Sequence, residues 1–257
     1  MPMIPAAPPP HRNRPGRQRL DQAVLERGLA ESREKAQRCI RAGDILVDGA
    51  PATKPGNWVR TDAVVVRRTP ERFVGRGGEK LEEAFCVFSL EVKGLVCLDI
   101  GASTGGFTDC LLQHGAARVY AIDVGRGQLD ERLRRRPEVV SREGCNARYL
   151  SRTDFPEPIH FAVADVSFIS LTKILPALCQ VIEPGSRILT LIKPQFEAGR
   201  EEVGRGGVVR DPEVHRRVVE ALRHFGETEL RLRWIGVCPS PIRGPAGNIE
   251  FLAAWTT

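Results

Sequence analysis

Between Leu95 and Asp123 an apolar run (Leu95 to Ile100) meets a glycine-rich turn (Gly101 to Gly106), then a helical pattern closed by Gly115, then a second apolar run ending on Asp123. That order predicts a βαβ unit. Upstream, Leu81, Ala84, Phe85 and Phe88 recur at helical spacing, with Lys80 in the first turn off the apolar stripe. Downstream the alternation continues. IHFAVADV (159–166) predicts a strand ending on a carboxylate, ISLTKILPALCQVIEPG (169–185) a helix, RILTLIK (187–193) a strand ending on lysine, and PEVHRRVVEALRHFG (212–226) a helix. The segments Glu229 to Val237 and Ile249 to Trp255 read as strands, and the short connection between them makes them antiparallel. The whole predicts an α/β fold, a doubly wound sheet with an antiparallel end.

The first quarter of the chain has a different pattern. Leu20, Val24 and Leu25 share one helical face, which Gly28 ends. A second helix follows, with Ser32 as its cap, Glu34 near the positive end of its dipole, a basic side of Arg33, Lys35, Arg38 and Arg41, and a stop at Gly43. Apolar and polar residues then alternate around DG and PG turns, which predicts short strands. Residues 19–67 thus form a small α+β unit, too small for an enzyme but adequate for recognition. Residues 68–76 are expected to be a linker to a larger domain at 77–257. The proline-interrupted residues 1–18 are expected to be a disordered tail without a signal-peptide core.

Charge sharpens the division. Residues 1–70 hold 13 Lys+Arg against 7 Asp+Glu, whereas residues 71–257 hold 25 of each. The excess therefore sits on the first quarter of the chain, as docking on a phosphate backbone requires, although a basic face that is only solvated would show the same charge. The seven cysteines are scattered and read as small core residues of a reducing compartment. Neither they nor His215 and His224, both expected to be solvated, form a metal-ligand pattern. No apolar run approaches a membrane span, so a cytoplasmic protein without a membrane partner is expected.

The turn Gly101-Ala102-Ser103-Thr104-Gly105-Gly106 has serine where a dinucleotide fingerprint needs its close-approach glycine, and the chain has no GxxxxGK[ST]. An adenosyl ligand without phosphates fits, namely S-adenosylmethionine, with Asp123 accepting from its ribose hydroxyls; the bland alternative is a turn that holds nothing. Asp123, Asp165 and Lys193 end parallel strands, and Glu250 begins a strand of opposite direction, so all four reach one rim, where ligands of such sheets bind. For methyl transfer to a ribose hydroxyl, Lys193 can take the proton or steady the oxyanion, Lys80 adds a second positive charge, and Asp165 and Glu250 orient both.

Two resemblances add to this reading. Residues 19–49 (RLDQAVLERGLAESREKAQRCIRAGDILVDG) resemble the small RNA-binding module of a small-subunit ribosomal protein, pseudouridine synthases and tyrosyl-tRNA synthetases, which implies an RNA face with Arg19, Arg33, Lys35 and Arg41. GASTGGFTDCLLQHGAARVYAIDVGRGQL, NARYL, ADVSFISL, LIKPQFEAGR, GGVVRDP and SPIRGPAGNIEFL, following that module, look like the TlyA family of ribosomal RNA ribose methyltransferases, also labelled hemolysins. The resemblance implies a Rossmann-like, FtsJ-like methyltransferase domain whose Lys-Asp-Lys-Glu tetrad falls on Lys80, Asp165, Lys193 and Glu250. It further implies S-adenosylmethionine held by Gly101, Ser103, Thr104, Gly105, Gly106, Asp123 and Asn146, and 2′-O-methylation of cytidine in ribosomal RNA or ribosomal subunits; no metal is expected, since no ligand pattern occurs. Cys145 departs from the threonine expected before Asn146. A catalytically silent RNA-binding assembly factor and a membrane-active hemolysin are the alternatives.

Overall fold

The computed structural model describes residues 16–68 and 72–257 and separates the chain into two units, residues 1–70 and 71–257. In the first, β1 (Arg17–Arg19) runs straight into α1 (Leu20–Glu26). Helix α2 (Arg33–Ala42) follows, where the Ser32 hydroxyl accepts from the Lys35 amide and Gly43 closes the helix in the left-handed region. Strands β2 (Ile45–Val47) and β3 (Ala50–Ala52) form a hairpin through Asp48 and Gly49, both at positive φ, as a type I′ turn requires. Strand β4 (Trp58–Arg60) pairs with β1, and β5 (Val65–Arg67) with β2. Leu20, Val24, Ala36, Ile40 and Ile45 make the core. The expected tail overruns this unit, since residues 17 and 18 belong to β1; residues 1–15 lie outside the described residues.

The second unit opens with α3 (Gly77–Phe88), β6 (Val96–Ile100), α4 (Gly106–Gln113) and β7 (Arg118–Asp123). It continues through α5 (Glu131–Arg134), β8 (Val139–Glu143), β9 (Ile159–Ala164), α6 (Leu175–Val181) and β10 (Ile182–Ile192). It ends with α7 (Pro194–Glu197), α8 (Pro212–Glu229), β11 (Arg233–Pro239) and β12 (Phe251–Thr256). The seven strands order as β11-β12-β10-β9-β6-β7-β8, and only β12 runs against the rest. The antiparallel end is thus made by β12 inserted between β10 and β11, which takes the edge.

The strands read as continuous apolar runs because both faces are covered. Leu98, Ile100, Tyr120 and Ile122 face a core shared with α6 and α8, and their neighbours Cys97, Val119 and Ala121 face a core shared with α3 and α4. Three boundaries and one strand differ from expectation. Residues 73–76 belong to this unit rather than to a linker, because Phe73 is buried and the Val74 amide donates to Asp109; residues 69–71 lie outside the described residues. Strand β10 starts at Ile182, inside the expected helix: the Pro184 that follows soon after cannot continue a helix, and Ile182 is already extended. Helix α8 runs through Gly226, whose missing Cβ makes room for the Trp255 ring. Strand β8, with no strong alternation of its own, was not expected.

Chain order reverses between β6 and β9, so the carboxyl ends of these two strands flank a crevice. The Asp165 amide donates to Ile100 O, and Gly101, at φ 82°, follows directly. A Cβ on Gly101 would lie 2.2 Å from the Asp165 carbonyl oxygen, so glycine is required for the two strand ends to approach.

Candidate active site

Register brings the four tetrad side chains together. Ile192 of β10 pairs with Phe251 of β12, so Lys193 and Glu250, each one residue beyond its strand, emerge side by side. Ala164 of β9 pairs with Thr190, which places Asp165 on the other side of β10. Lys80 comes from the first turn of α3 and shares its buried side with Leu81 and Ala84, not the polar side that the apolar spacing suggested. Pro194 confines Lys193 to extended backbone and starts α7, whose Glu197 accepts from Ser170 Oγ at 2.6 Å and Leu171 N at 2.8 Å. The segment after Lys193 is thereby tied to the segment after Asp165.

The contacts form a chain of alternating charge. Lys80 Nζ lies 2.5 Å from Glu250 Oε2 and 4.0 Å from Asp165 Oδ2. Lys193 Nζ lies 2.5 Å from Asp165 Oδ1 and donates to Ser167 Oγ at 2.9 Å. Lys80, Lys193 and Glu250 are 8, 9 and 1 % exposed, so two ammonium groups and the Glu250 carboxylate are withdrawn from water, and the half-buried Asp165 completes a neutral set.

Beside them a cleft of about 590 Å³ is lined by Gly101, Ser103, Asp123, Asn146 and Asp165. Asp123 is fixed from two sides: Oδ2 accepts from the Ser103 amide at 2.8 Å and Oδ1 from the Gly125 amide at 2.7 Å, which leaves lone pairs on each oxygen. Asn146 caps the turn Ala147–Tyr149 by accepting from the Arg148 amide. A second cleft of about 220 Å³ shares Gly101, Ser103 and Asp165 and adds Lys80, Thr104 and Gly106. Gly105 lines neither. At φ 96° it packs against Leu129 and Leu133, while Gly106 lets the Gly75–Gly78 backbone approach α4.

In the N-terminal unit the expected RNA-facing residues are mostly engaged. Arg19 makes two 3.0 Å hydrogen bonds to the buried Asp21, and Arg33 Nε makes a third to the same carboxylate. Lys35 Nζ lies 2.7 Å from Glu31, and Arg41 leans on Gln37. Asp21 was not singled out from the sequence, yet it fixes two of the four basic side chains.

Residues 73–257 match the FtsJ-like methyltransferase family and residues 18–65 match the S4 domain. The chain belongs to the FtsJ-like methyltransferase family. Among its relatives, the 16S/23S rRNA (cytidine-2′-O)-methyltransferase TlyA of Mycobacterium tuberculosis (strain ATCC 25618 / H37Rv) is 46 % identical over 91 % of this chain and 88 % of its own length. Hemolysin A of Brachyspira hyodysenteriae is 44 % identical over 91 % of this chain and 98 % of its own. A solved structure of a Streptococcus thermophilus protein bearing a hemolysin label matches with a TM-score of 0.75 and 43 % identity, covering 94 % of this chain and 89 % of that one. No helix among the described residues is long and apolar enough to cross a membrane.

Within this FtsJ-like fold, three features escaped the sequence reading. Ser167, two residues after Asp165, holds Lys193. His215 is buried rather than solvated, its Nε2 3.1 Å from Val209 O and its ring edge-on to Phe251; His224 is exposed. Glu82, Cys110 and His114 bring their ligand-type atoms within 4.8 Å of one another, although Arg72 also pairs with Glu82, and none of the three lines either cleft. Sequence spacing hides this group because α3 and α4 each contribute to it.

Asp99 lies fully buried beneath the glycine turn, with Thr108 Oγ1 donating to it at 2.6 Å. Burial pushes its carboxyl up to about 7; the Thr108 hydrogen bond opposes this, and the charges of Asp165 and Asp123 add to it. From about pH 4 to 7 the folded state therefore holds a proton that the unfolded state has lost, so this contribution to stability is full below that window and falls as pH rises through it. The expected result in denaturant unfolding is that wild type loses stability between pH 5 and 8 relative to Asp99→Asn; equal pH slopes for the two would refute it.

Proposed function

We propose that this chain is an S-adenosylmethionine-dependent ribosomal RNA methyltransferase that methylates the 2′-hydroxyl of cytidine, acting through Lys80, Asp165, Lys193 and Glu250. The observation that carries the reading is the Glu250–Lys80–Asp165–Lys193 chain, whose Asp165 lines both clefts and whose Lys80 lines the smaller one. The activity named for the Mycobacterium tuberculosis relative, a 16S/23S rRNA (cytidine-2′-O)-methyltransferase, supports the substrate.

The cleft residues fit the cofactor. The larger cleft is of ligand size, Asp123 offers free lone pairs to ribose hydroxyls, and Ser103 stands where a pyrophosphate would need glycine. Gly101, Ser103, Asp123 and Asn146 would hold the adenosyl part, and Thr104 and Gly106 would lie along the amino-acid end. When bound, S-adenosylmethionine supplies the sulfonium methyl group that the ribose oxygen takes.

Lys193 has three N–H donors; Ser167 takes one, Asp165 lies within ion-pair distance, and a further N–H is left for the 2′-oxygen as its negative charge develops. Asp165, the carboxylate that lines both clefts, would take the proton that the hydroxyl gives up as its oxygen takes the methyl group. Glu250 holds Lys80 as the second positive charge. A cytoplasmic location, where ribosomal subunits are met, goes with this substrate, and the basic S4 unit supplies general affinity for RNA. The test is transfer of labelled methyl from S-adenosylmethionine to bacterial ribosomal subunits that lack the modification. Label in the RNA is expected; RNA bound without label would favour a silent assembly factor.

A further inference from the structure

The smaller cleft carries two positive charges that the tetrad does not use. Arg76, just before α3, and Arg243, on the connection from β11 to β12, both line it together with Lys80 and Asp165. Both are exposed, and neither has a carboxylate partner among the described residues. Among the described residues Arg243 makes one hydrogen bond, from Nη1 to Gly247 O at 3.1 Å. Elsewhere in this unit arginines are commonly paired, as Arg118 is with Glu157, Arg134 with Glu143 and Arg152 with Glu183. Because the tetrad is itself neutral, these two guanidinium groups set the sign of the cleft mouth.

We propose that Arg76 and Arg243 form a binding subsite for the phosphodiester next to the target ribose. This rests on the methyltransferase reading above and adds to it how the nucleotide is positioned. In RNA the 3′-phosphate hangs on the carbon adjacent to the one bearing the 2′-oxygen. A strand that brings that oxygen to Lys193 therefore carries a phosphate to the neighbouring cleft wall. Guanidinium forks match phosphate oxygens in geometry as well as charge. The competing anion is the carboxylate of the cofactor, but the first amides of α4, which no side chain caps, already face that need at the glycine turn. Arg243 instead comes from the segment that ends in Glu250, so one connection would place both the phosphate and the Lys80 partner.

The experiment compares wild type with Arg76→Ala, Arg243→Ala and Arg243→Lys on unmodified bacterial ribosomal subunits, and measures S-adenosylhomocysteine binding by calorimetry. The expected result is a KM for subunits raised about tenfold in each alanine variant, kcat within about twofold and partial rescue by lysine. The cofactor-product Kd should be unchanged, and the salt slope of RNA binding should fall by about one per arginine. Weaker S-adenosylhomocysteine binding with an unchanged KM would assign the pair to the cofactor carboxylate and overturn the proposal, and so would variants that match wild type throughout. An inactive wild type would instead overturn the methyltransferase reading on which it rests. Melting temperatures equal to wild type exclude a folding cause.

Discussion

Lys193→Met is expected to lower single-turnover methyl transfer by about a hundred- to a thousandfold, the range seen when one preorganised donor to a developing oxyanion is removed. Methionine keeps the length and apolar stem of lysine but cannot donate to the 2′-oxygen. Asp165 keeps Lys80 at 4.0 Å, and its side chain is partly open to solvent rather than buried like Glu250, so the excess negative charge is tolerated and the fold should survive. Lys193→Arg keeps the charge but changes its shape, and should recover only a minor part of the rate. S-adenosylhomocysteine affinity is the discriminating control. It should stay within about twofold of wild type, because Lys193 does not line the cofactor cleft. A variant that binds S-adenosylhomocysteine normally and transfers methyl at the wild-type rate would remove Lys193 from the chemistry.

The second large effect falls on the N-terminal unit. Burial disfavours the charged form of Asp21, but hydrogen bonds from Arg19, Gln37 and Arg33 outweigh it and hold the carboxyl well below the usual carboxylate range. Asp21→Ala leaves these donors without their shared acceptor in a unit with a small core. The expected loss is about 3 kcal/mol of stability, at the low end for breaking a buried pair because the guanidinium groups are partly solvated. RNA affinity should fall with it, because Arg19 and Arg33 lose the group that fixes them. The sign of the pH dependence follows from the lowered carboxyl: the contribution is full above the unfolded value near 4 and is lost as pH falls below it. Thermal unfolding of the variant at pH 7 and of wild type at pH 7 and 3 checks both. A variant as stable as wild type would contradict the role given to Asp21.

What could be read from the sequence follows from where period and charge carry information. The strands around Cys97, Val119 and Phe161 were legible because burial on both faces leaves unbroken apolar runs. Asp165, Lys193 and Glu250 were legible because polar residues that terminate such runs must lie at a sheet edge. The inward turn of Lys80 was not legible, since helical spacing sorts apolar from polar residues and has no way to mark a lysine buried by carboxylates on distant strands. Asp21, Ser167 and the burial of His215 were missed for the same reason: each depends on tertiary partners that spacing along the chain does not reveal. The glycines of the turn were read as a ligand cradle, whereas Gly105 and Gly106 also serve packing against Leu133 and the Gly75–Gly78 backbone.

The most direct measurement is mass-spectrometric location of the methyl group transferred by the wild-type protein from S-adenosylmethionine to unmodified bacterial ribosomal subunits. The expected result is a nuclease-resistant dinucleotide with the added mass on the ribose of cytidine, absent with Lys193→Met. A methyl group on a base, or a ribose product that survives Lys193→Met, would contradict the mechanism assigned to the tetrad.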